Sequence, residues 1–362
     1  MSKSNTNRNL AIGVVAAVVV IGAIVGFMFM QPSEPAMAPD EMMEEKPQEV
    51  MEEKPEEVMG TLDVKLGLFR GLGFAPSFIA ETQEFDTKNG VNVEHVFVGP
   101  RDVIPALLGG QVDMILTVWP TVFTLAQNEG VHLVVVGNHG FEGVVGDKVY
   151  DSARIMVPND SPIQKVTDLK GKKIGVINPT GLNANGFRVS ADDYEFERVF
   201  YGAMAQGLSS GSIDAAVVVS PFNLFILQEG LARSLVDADG KTINPHMAIS
   251  QTVPVTGIYT TQEFFEANPT AVKRVAKMNA DAIEWMNANP DLAIADLARE
   301  DVLGTPPNIL KEAFENTHSY AAYPVVDSVK DLLARLIELG FLEEGKVDID
   351  QILKGPGAFQ PT

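Results

Sequence analysis

The sequence carries two copies of one short pattern, each directly before an apolar run of strand length. Residues 110–113 read GQVD and precede the run 114–117, while residues 211–214 read GSID and precede 215–219. Short apolar runs bounded by turn residues are typical of buried strands in parallel sheets. Because 362 residues are enough for two domains, the repeat predicts two α/β units of similar design.

A second informative stretch is residues 160–181, DSPIQKVTDLKGKKIGVINPTG. Its apolar run 174–177 is short enough to be a buried parallel strand, and the turn residues 178–181 follow directly. Ligands of open α/β sheets bind at the carboxyl ends of the strands. The loop 178–181 is therefore a predicted binding element.

Elsewhere, strand-like and helix-like segments alternate, which predicts mainly parallel sheets flanked by helices. Further strands are predicted at 62–69, 91–98, 113–117, 131–137, 154–158 and 195–200, with a return at 252–260. Amphipathic helices are predicted at 262–268, 271–287, 291–300, 307–316 and 328–339, where they would cover the first sheet. The strand ends near 69–74, 98–102 and 117–119 are expected to converge on one rim.

Composition excludes several kinds of chemistry. The chain has no cysteine, so it has no disulfide, no thiolate metal site and no cysteine nucleophile. The net charge of −21 argues against general nucleic-acid binding, which needs a basic surface. The five histidines are scattered, and no P-loop occurs. We therefore predict no metal, no cofactor and no catalytic residue.

The amino-terminal 60 residues differ from the rest. Residues 10–30 contain no charge and are long enough to span a bilayer, with Lys3 and Arg8 before them. We predict a membrane anchor that leaves the bulk outside the cytoplasm. A cleaved signal peptide ending at the A-x-A-like site 36–38 is the alternative.

Residues 31–60 form an acidic tether, predicted to be disordered, that contains MEEKPQEV and MEEKPEEV in tandem. After the +2 of residues 1–30 and the −8 of residues 31–60 are removed from the total of −21, residues 61–362 carry −15.

Three stretches resemble one protein family. The turn followed by DLKGKKI, a strand and a polar glycine loop, the segment ALLGGQVDM at 106–114, and the helical EFFEANPTAVKRVAKMNADAIEWM at 263–286 are similar to type II periplasmic binding proteins. The resemblance is to the nitrate, sulfonate, taurine and thiamine-precursor group, and it covers roughly residues 61–352. It implies a two-lobed α/β fold. The first lobe would comprise residues 61–150 and 253–362, and the second lobe residues 151–252.

The resemblance also implies a function. Such a chain would be the extracytoplasmic solute-binding component of an ABC importer and would deliver its ligand to a permease driven by an ATPase. Nitrate, a sulfonate or taurine, bicarbonate and a pyrimidine precursor are the ligand classes it allows, and a monomer is expected. The alternative is a ligand sensor, or an enzyme that makes the thiamine pyrimidine precursor on the same fold. The enzyme class uses a cysteine-rich motif that is absent here.

The predicted ligand-binding residues are those that follow the strand ends. They are Phe69, Arg70, Gly73, Phe74, Gly99, Pro100, Arg101, Thr117, Trp119, Asn178, Thr180, Gly181, Ser220 and Phe222. Trp119 has an alternative interpretation as a core residue, and Arg188 is a further cation beside the rim. Residues 182–190 leave room for little more than two helical turns, so the helix after Gly181 is predicted to be short or missing. An anion site at its amino terminus is then in doubt.

Overall fold

The computed structural model describes residues 60–179, 181–190, 193–323 and 326–358. All of these residues belong to one compact unit. The predicted anchor at 1–30 and the predicted tether at 31–60, apart from Gly60, lie outside them. Among the described residues, no helix combines the length and the apolar character needed to cross a membrane.

The first sheet has five strands in the order β2-β1-β3-β13-β4. These strands are β1 Leu62–Leu68, β2 Val91–Phe97, β3 Met114–Val118, β4 Val134–Asn138 and β13 Thr256–Thr260. Strands β1, β2 and β3 are parallel, while β13 runs antiparallel to both of its neighbours. The prediction of a mainly parallel sheet with a returning strand at 252–260 is confirmed.

The second sheet repeats this design in the order β9-β8-β10-β7-β11. Its strands are β7 Ala153–Pro158, β8 Lys173–Val176, β9 Glu195–Arg198, β10 Ala215–Val219 and β11 Ala232–Ser234. Strands β8, β9 and β10 are parallel, and β7 runs antiparallel to both β10 and β11. In each sheet, therefore, one antiparallel strand lies between the third parallel strand and the edge strand.

The repeated sequence pattern makes equivalent contacts in the two sheets. The Asp113 carboxylate accepts a hydrogen bond from the Lys65 backbone N–H at 2.8 Å, and the Asp214 carboxylate accepts one from the Lys173 backbone N–H at 2.9 Å. Gly110 and Gly211 have φ angles of 68° and 71°, a region that favours glycine. The glycine thus turns the chain, and the aspartate fixes the start of β3 or β10 beside the first parallel strand.

A third, antiparallel sheet joins the chain segments that pass between the first two. We call it the crossover sheet; its order is β12-β5-β14, with β6 paired to β5. Its strands are β5 Gly140–Val145, β6 Lys148–Tyr150, β12 Thr252–Pro254 and β14 Ser319–Tyr320. The antiparallel pair β4–β13 of the first sheet continues as the pair β5–β12. The sequence did not predict this sheet.

Helices cover both faces of each large sheet. They are α1 Ala75–Thr82, α2 Phe85–Lys88, α3 Val103–Leu108, α4 Trp119–Glu129, α5 Leu182–Ser190, α6 Tyr201–Ser210, α7 Phe222–Gln228, α8 Gln262–Ala267, α9 Pro269–Ala288, α10 Pro290–Leu297, α11 Pro307–Asn316, α12 Val326–Glu338 and α13 Ile349–Ile352. On the first sheet, the core of one face joins α1, α9, α10 and α11, and that of the other joins α3, α4 and α12. On the second sheet, α5 packs on one face and α6 and α7 on the other.

Helices α4 and α5 follow parallel strands of the two large sheets. Helix α4 begins at Trp119, directly after β3, because Pro120 lies in its first turn, where a missing N–H costs nothing. The helix after Gly181 is present: α5 has nine residues, about two and a half turns. It is short, as predicted, and it is not missing.

Candidate functional site

The carboxyl ends of β1, β2 and β3 form one edge of the first sheet, because these strands are parallel and adjacent. Many of the predicted site residues lie along this edge. They are Phe69, Arg70, Gly73 and Phe74 after β1, Gly99, Pro100 and Arg101 after β2, and Thr117 and Trp119 at the end of β3. The topology therefore brings these three loops to one side of the sheet.

The remaining predicted residues lie at the matching edge of the second sheet. Asn178 and Gly181 follow β8, whereas Ser220 and Phe222 follow β10; Thr180 lies outside the described residues. The two edges face each other. The guanidinium carbon of Arg101 lies 5.3 Å from the ring centre of Phe200, which follows β9. The two edges therefore touch at this pair of residues.

The aromatic residues at the first edge mostly pack against protein. Trp119 is fully buried, and its indole N–H donates to the Asn138 side-chain oxygen at 3.3 Å. Its ring meets the Tyr259 ring edge-on at 5.3 Å. Phe74 is also buried and makes an edge contact with Phe69 at 4.7 Å. The structure therefore places Trp119 in the core, in agreement with its alternative interpretation.

The three arginines near the edges already have partners. The Arg70 guanidinium donates to the backbone carbonyls of Val302 and, at 3.2 Å, Asp301. Arg101 lies over the Phe200 ring. Arg188 donates to the Asn185 side-chain oxygen at 2.7 Å. An anionic ligand would have to compete with these contacts.

Ser220 is the polar side chain at the second edge with the clearest unmet hydrogen-bonding capacity. Its side chain is buried, and its hydroxyl has no partner among the described residues. Its backbone N–H donates to the Ser152 carbonyl at 2.8 Å, which fixes the end of β10. A buried polar atom without a partner is unfavourable unless a ligand or water satisfies it.

A buried polar network lies behind this edge, and the sequence did not predict it. Glu142 on β5 is fully buried, and its carboxylate contacts the Nδ1 of His246 and accepts from the Ser152 hydroxyl. The serine binds the carboxylate and not the imidazole, so the three residues do not have the order of a nucleophile–base–acid triad. One local signal existed: Glu142 is the only charged residue in the apolar segment 140–145.

Burial and charge act in opposite directions on the acids of this region. Burial alone would raise the pKa of Glu142, but the charge of His246 and hydrogen bonds from His246 and Ser152 leave it below its ordinary value. Burial raises the pKa of Asp151 to about 6, although Arg154 opposes the shift from 3.4 Å away. The network can therefore hold one ionised carboxylate away from water.

A second buried polar group lies where the first sheet passes into the crossover sheet. The carbonyl of Gly73 accepts from the Thr256 hydroxyl at 2.7 Å and from the Nδ1–H of His139 at 3.1 Å. Burial lowers the pKa of His139 to about 4. The loop after β1 is thus tied to the strands that lead to the second sheet.

Two cavities of the described structure are lined by none of the predicted ligand-binding residues. The larger cavity, of about 480 Å³, lies between the crossover sheet and α9–α11 and includes Lys148, Tyr150 and His318. A smaller one of about 290 Å³ lies between α4, α5 and the end of α12, beside Arg188. Within the described part of the chain, no group of three or more acidic or histidine side chains is arranged to hold a metal ion.

More than half of the chain matches the model of a known protein family. The family model described as NMT1/THI5 like matches residues 72–293. This range spans most of both large sheets and includes every predicted site residue after Arg70. No curated protein sequence matches the chain.

Solved structures share the fold at low sequence identity. The periplasmic aliphatic sulphonate binding protein SsuA from Escherichia coli has 20% identity and a TM-score of 0.64, covering 81% of this chain and 97% of that one. The periplasmic nitrate-binding protein NrtA from Synechocystis PCC 6803 has 15% identity and a TM-score of 0.64, covering 81% and 86%. A zinc-bound ligand-binding component of an ABC-type import system from Staphylococcus aureus has 12% identity and a TM-score of 0.64, covering 82% and 97%. Likenesses at these identities establish the fold.

Proposed function

The chain belongs to the NMT1/THI5-like family, and from this premise we propose that it is the extracytoplasmic solute-binding component of an ABC importer. The observation that carries the proposal is the pairing of two sheets with the same arrangement of parallel and antiparallel strands, whose carboxyl edges meet at Arg101 and Phe200. Ligands of open α/β sheets bind at such edges. A small molecule held there would be captured by closure of the two halves.

The proposed lobes follow the two large sheets. The first lobe comprises residues 61–150 and 253–362, and the second comprises residues 151–252. The return of β13 to the first sheet and the packing of α9–α12 on that sheet support this division. The proposed binding residues are those already placed along the two edges, apart from Trp119, which lies in the core, and with Ser220 as the buried polar contact of the second lobe.

The ligand is proposed from the classes that similar proteins suggest. SsuA is described as an aliphatic sulphonate binding protein and NrtA as a nitrate-binding protein. We retain nitrate, a sulfonate or taurine, bicarbonate and a pyrimidine precursor. The engaged arginines favour an organic ligand with hydrogen-bonding groups over a bare oxyanion. We assign no catalytic residue, so the chain would pass its ligand unchanged to a permease driven by an ATPase.

The proposed location is the outer side of the cytoplasmic membrane. It is supported by the uncharged segment 10–30 with Lys3 and Arg8 before it. We propose that this segment stays as a single-pass anchor and that residues 31–60 act as a spacer. Retention of the chain in the membrane fraction after a high-salt wash tests the anchor. A mature chain that begins at Pro39 would contradict it.

A thermal-shift screen of the purified protein tests the function. The probes are nitrate, taurine, an alkanesulfonate, bicarbonate and a hydroxymethylpyrimidine. One of them should raise the melting temperature, since a ligand at 100 times its dissociation constant stabilises by about 2.7 kcal/mol. The shift should shrink in Ser220→Ala and persist in Ser209→Ala, a control on the exposed side of α6. A screen in which all five probes leave the melting temperature unchanged would contradict the proposed ligand classes.

A further inference from the structure

The buried carboxylate of Glu142 begins a continuous chain of side-chain contacts. Glu142 contacts the Nδ1 of His246, and the Nε2 of His246 lies 2.8 Å from the Asn183 side-chain oxygen. The Asn183 amide nitrogen then donates to the Tyr201 hydroxyl at 3.1 Å and, more weakly, to the Val217 carbonyl at 3.4 Å. Since an amide oxygen only accepts, the Nε2 of His246 carries a proton and donates it to Asn183.

The chain of contacts ends in an aromatic stack. The ring of Tyr201 lies against the ring of Phe222, with centres 5.0 Å apart and an interplanar angle of 20°. Glu142 and His246 are both less than 5% exposed, so the contacts that begin the chain are shielded from water. Hydrogen bonds in such surroundings are directional and are costly to leave unmade.

The last three members of the chain lie at helix starts. Asn183 is the second residue of α5, Tyr201 is the first residue of α6, and Phe222 is the first residue of α7. These helices follow β8, β9 and β10, whose parallel carboxyl ends form the edge of the second sheet. One network, which begins at the buried pair Glu142 and His246, therefore reaches the starts of these three helices.

We propose that Glu142 and His246 are positioning residues that set the ligand-binding edge of the second sheet from the crossover sheet. They act by hydrogen-bond geometry, through Asn183 and Tyr201, and they do not touch the ligand. The pair joins β5 to the 3-10 turn His246–Ala248, so it connects the segments that leave and re-enter the first sheet. This inference rests on the proposed function for one point only, which is that this edge binds a ligand.

The hydrogen-bond geometry predicts which substitutions keep this chain of contacts and which break it. In Glu142→Gln, the amide oxygen can still accept from Ser152, and the amide nitrogen can donate to the Nδ1 of a neutral His246. The Nε2–H of His246 then still donates to Asn183, so the positions are kept while the charge is lost. Asn183→Ala cuts the chain at its centre. Tyr201→Phe removes one hydroxyl and retains the stacking ring.

Peptide-resolved amide hydrogen exchange on the full-length protein, without ligand, tests the proposal. Asn183→Ala should accelerate exchange in the first turns of α5 and α6 and at the start of α7 by on the order of tenfold, the effect of losing one buried hydrogen bond. Tyr201→Phe should accelerate the same turns without unfolding the chain. Glu142→Gln should leave them within about twofold of the wild type.

The matched control is Asn279→Ala. Asn279 is 1% exposed and donates to the Asn138 carbonyl at 2.9 Å, between α9 and β4. Its loss should accelerate exchange in α9 and β4 and leave α5–α7 unchanged.

Three results would each overturn the proposal: equal acceleration across both large sheets in Asn183→Ala, acceleration limited to α5 alone, or Glu142→Gln acting like Asn183→Ala. Because no ligand is present, a failed thermal-shift screen leaves this test intact. A ligand that binds while exchange is unaltered would reject the positioning role and keep the function.

Discussion

His139 shows how a single buried side chain makes the stability of this fold depend on pH. It lies at the break between β4 and β5, and its Nδ1–H donates to the Gly73 carbonyl. Burial lowers its pKa to about 4, whereas an unfolded histidine titrates near 6.5. Between these values the unfolded chain binds more protons than the folded one, so the free energy of unfolding falls as the pH falls.

We therefore expect the wild type to lose up to about 3 kcal/mol relative to His139→Asn between pH 6.5 and pH 4. Asparagine can donate to Gly73 as the Nδ1–H does, but it does not titrate. Urea unfolding of both proteins at several pH values measures the difference. The comparison isolates His139, because His318, whose pKa is also lowered to about 4, is present in both proteins. A difference independent of pH would show that His139 is not held neutral by burial.

At the scale of the element, α5 depends on a glycine that a helix would not otherwise favour. Gly186 lies in the middle of α5, and a Cβ built there would lie 2.1 Å from the Pro245 carbonyl oxygen and 3.1 Å from the His246 nitrogen. Both are backbone atoms, which cannot swing aside. The close approach of α5 to the turn that carries His246 thus requires a residue without a side chain.

Gly186→Ala should destabilise the protein by about 1–3 kcal/mol, the usual effect of overpacking. Gly202→Ala is the matched control, because Gly202 lies in α6 with nothing within 4 Å of the added Cβ. That change should be neutral or should stabilise by up to about 1 kcal/mol through the better helix propensity of alanine. Denaturant melts compare the two variants. Equal effects would mean that the approach of α5 to Pro245 is not tight.

The same elements show how far sequence reasoning reaches. The parallel strands, and the similar design of the two sheets, could be predicted because apolar runs and the GQVD and GSID repeats each lie within a few adjacent residues. The crossover sheet was not, since its shortest strand has two residues and its pairs join Phe141 to Pro254 and to Ser319. Contacts between Glu142 and His246 span 104 residues and have no characteristic spacing. Trp119 was predicted at a rim because its strand ends there, whereas its burial depends on Tyr259.

At the scale of the whole molecule, the crossover sheet is the natural site of a hinge between the proposed lobes. The two-stranded ribbon β4–β13 continues as β5–β12. It passes from the first sheet into the crossover sheet at His139 and Val255. Most of each hydrophobic core belongs to one large sheet, although Leu224 of α7 and Leu182 of α5 pack against the cores of the first sheet. A rotation at this point would separate the two carboxyl edges and would leave the rest of both cores intact.

Spin-label distances test this hinge, and the absence of cysteine allows labels to be placed uniquely. Leu108 beside the first sheet and Leu231 beside the second are 43% and 39% exposed, so cysteines there form the pair between lobes. Leu108 and Leu292, which is 57% exposed, form the control pair on the first sheet.

Without ligand, the pair between lobes should give a broader distance distribution than the control pair. A ligand found in the screen should narrow it, because closure is the event that captures the ligand, and should not change the control distance. Equally narrow distributions for both pairs would mean that the two sheets form one rigid body, and capture by closure would then be wrong.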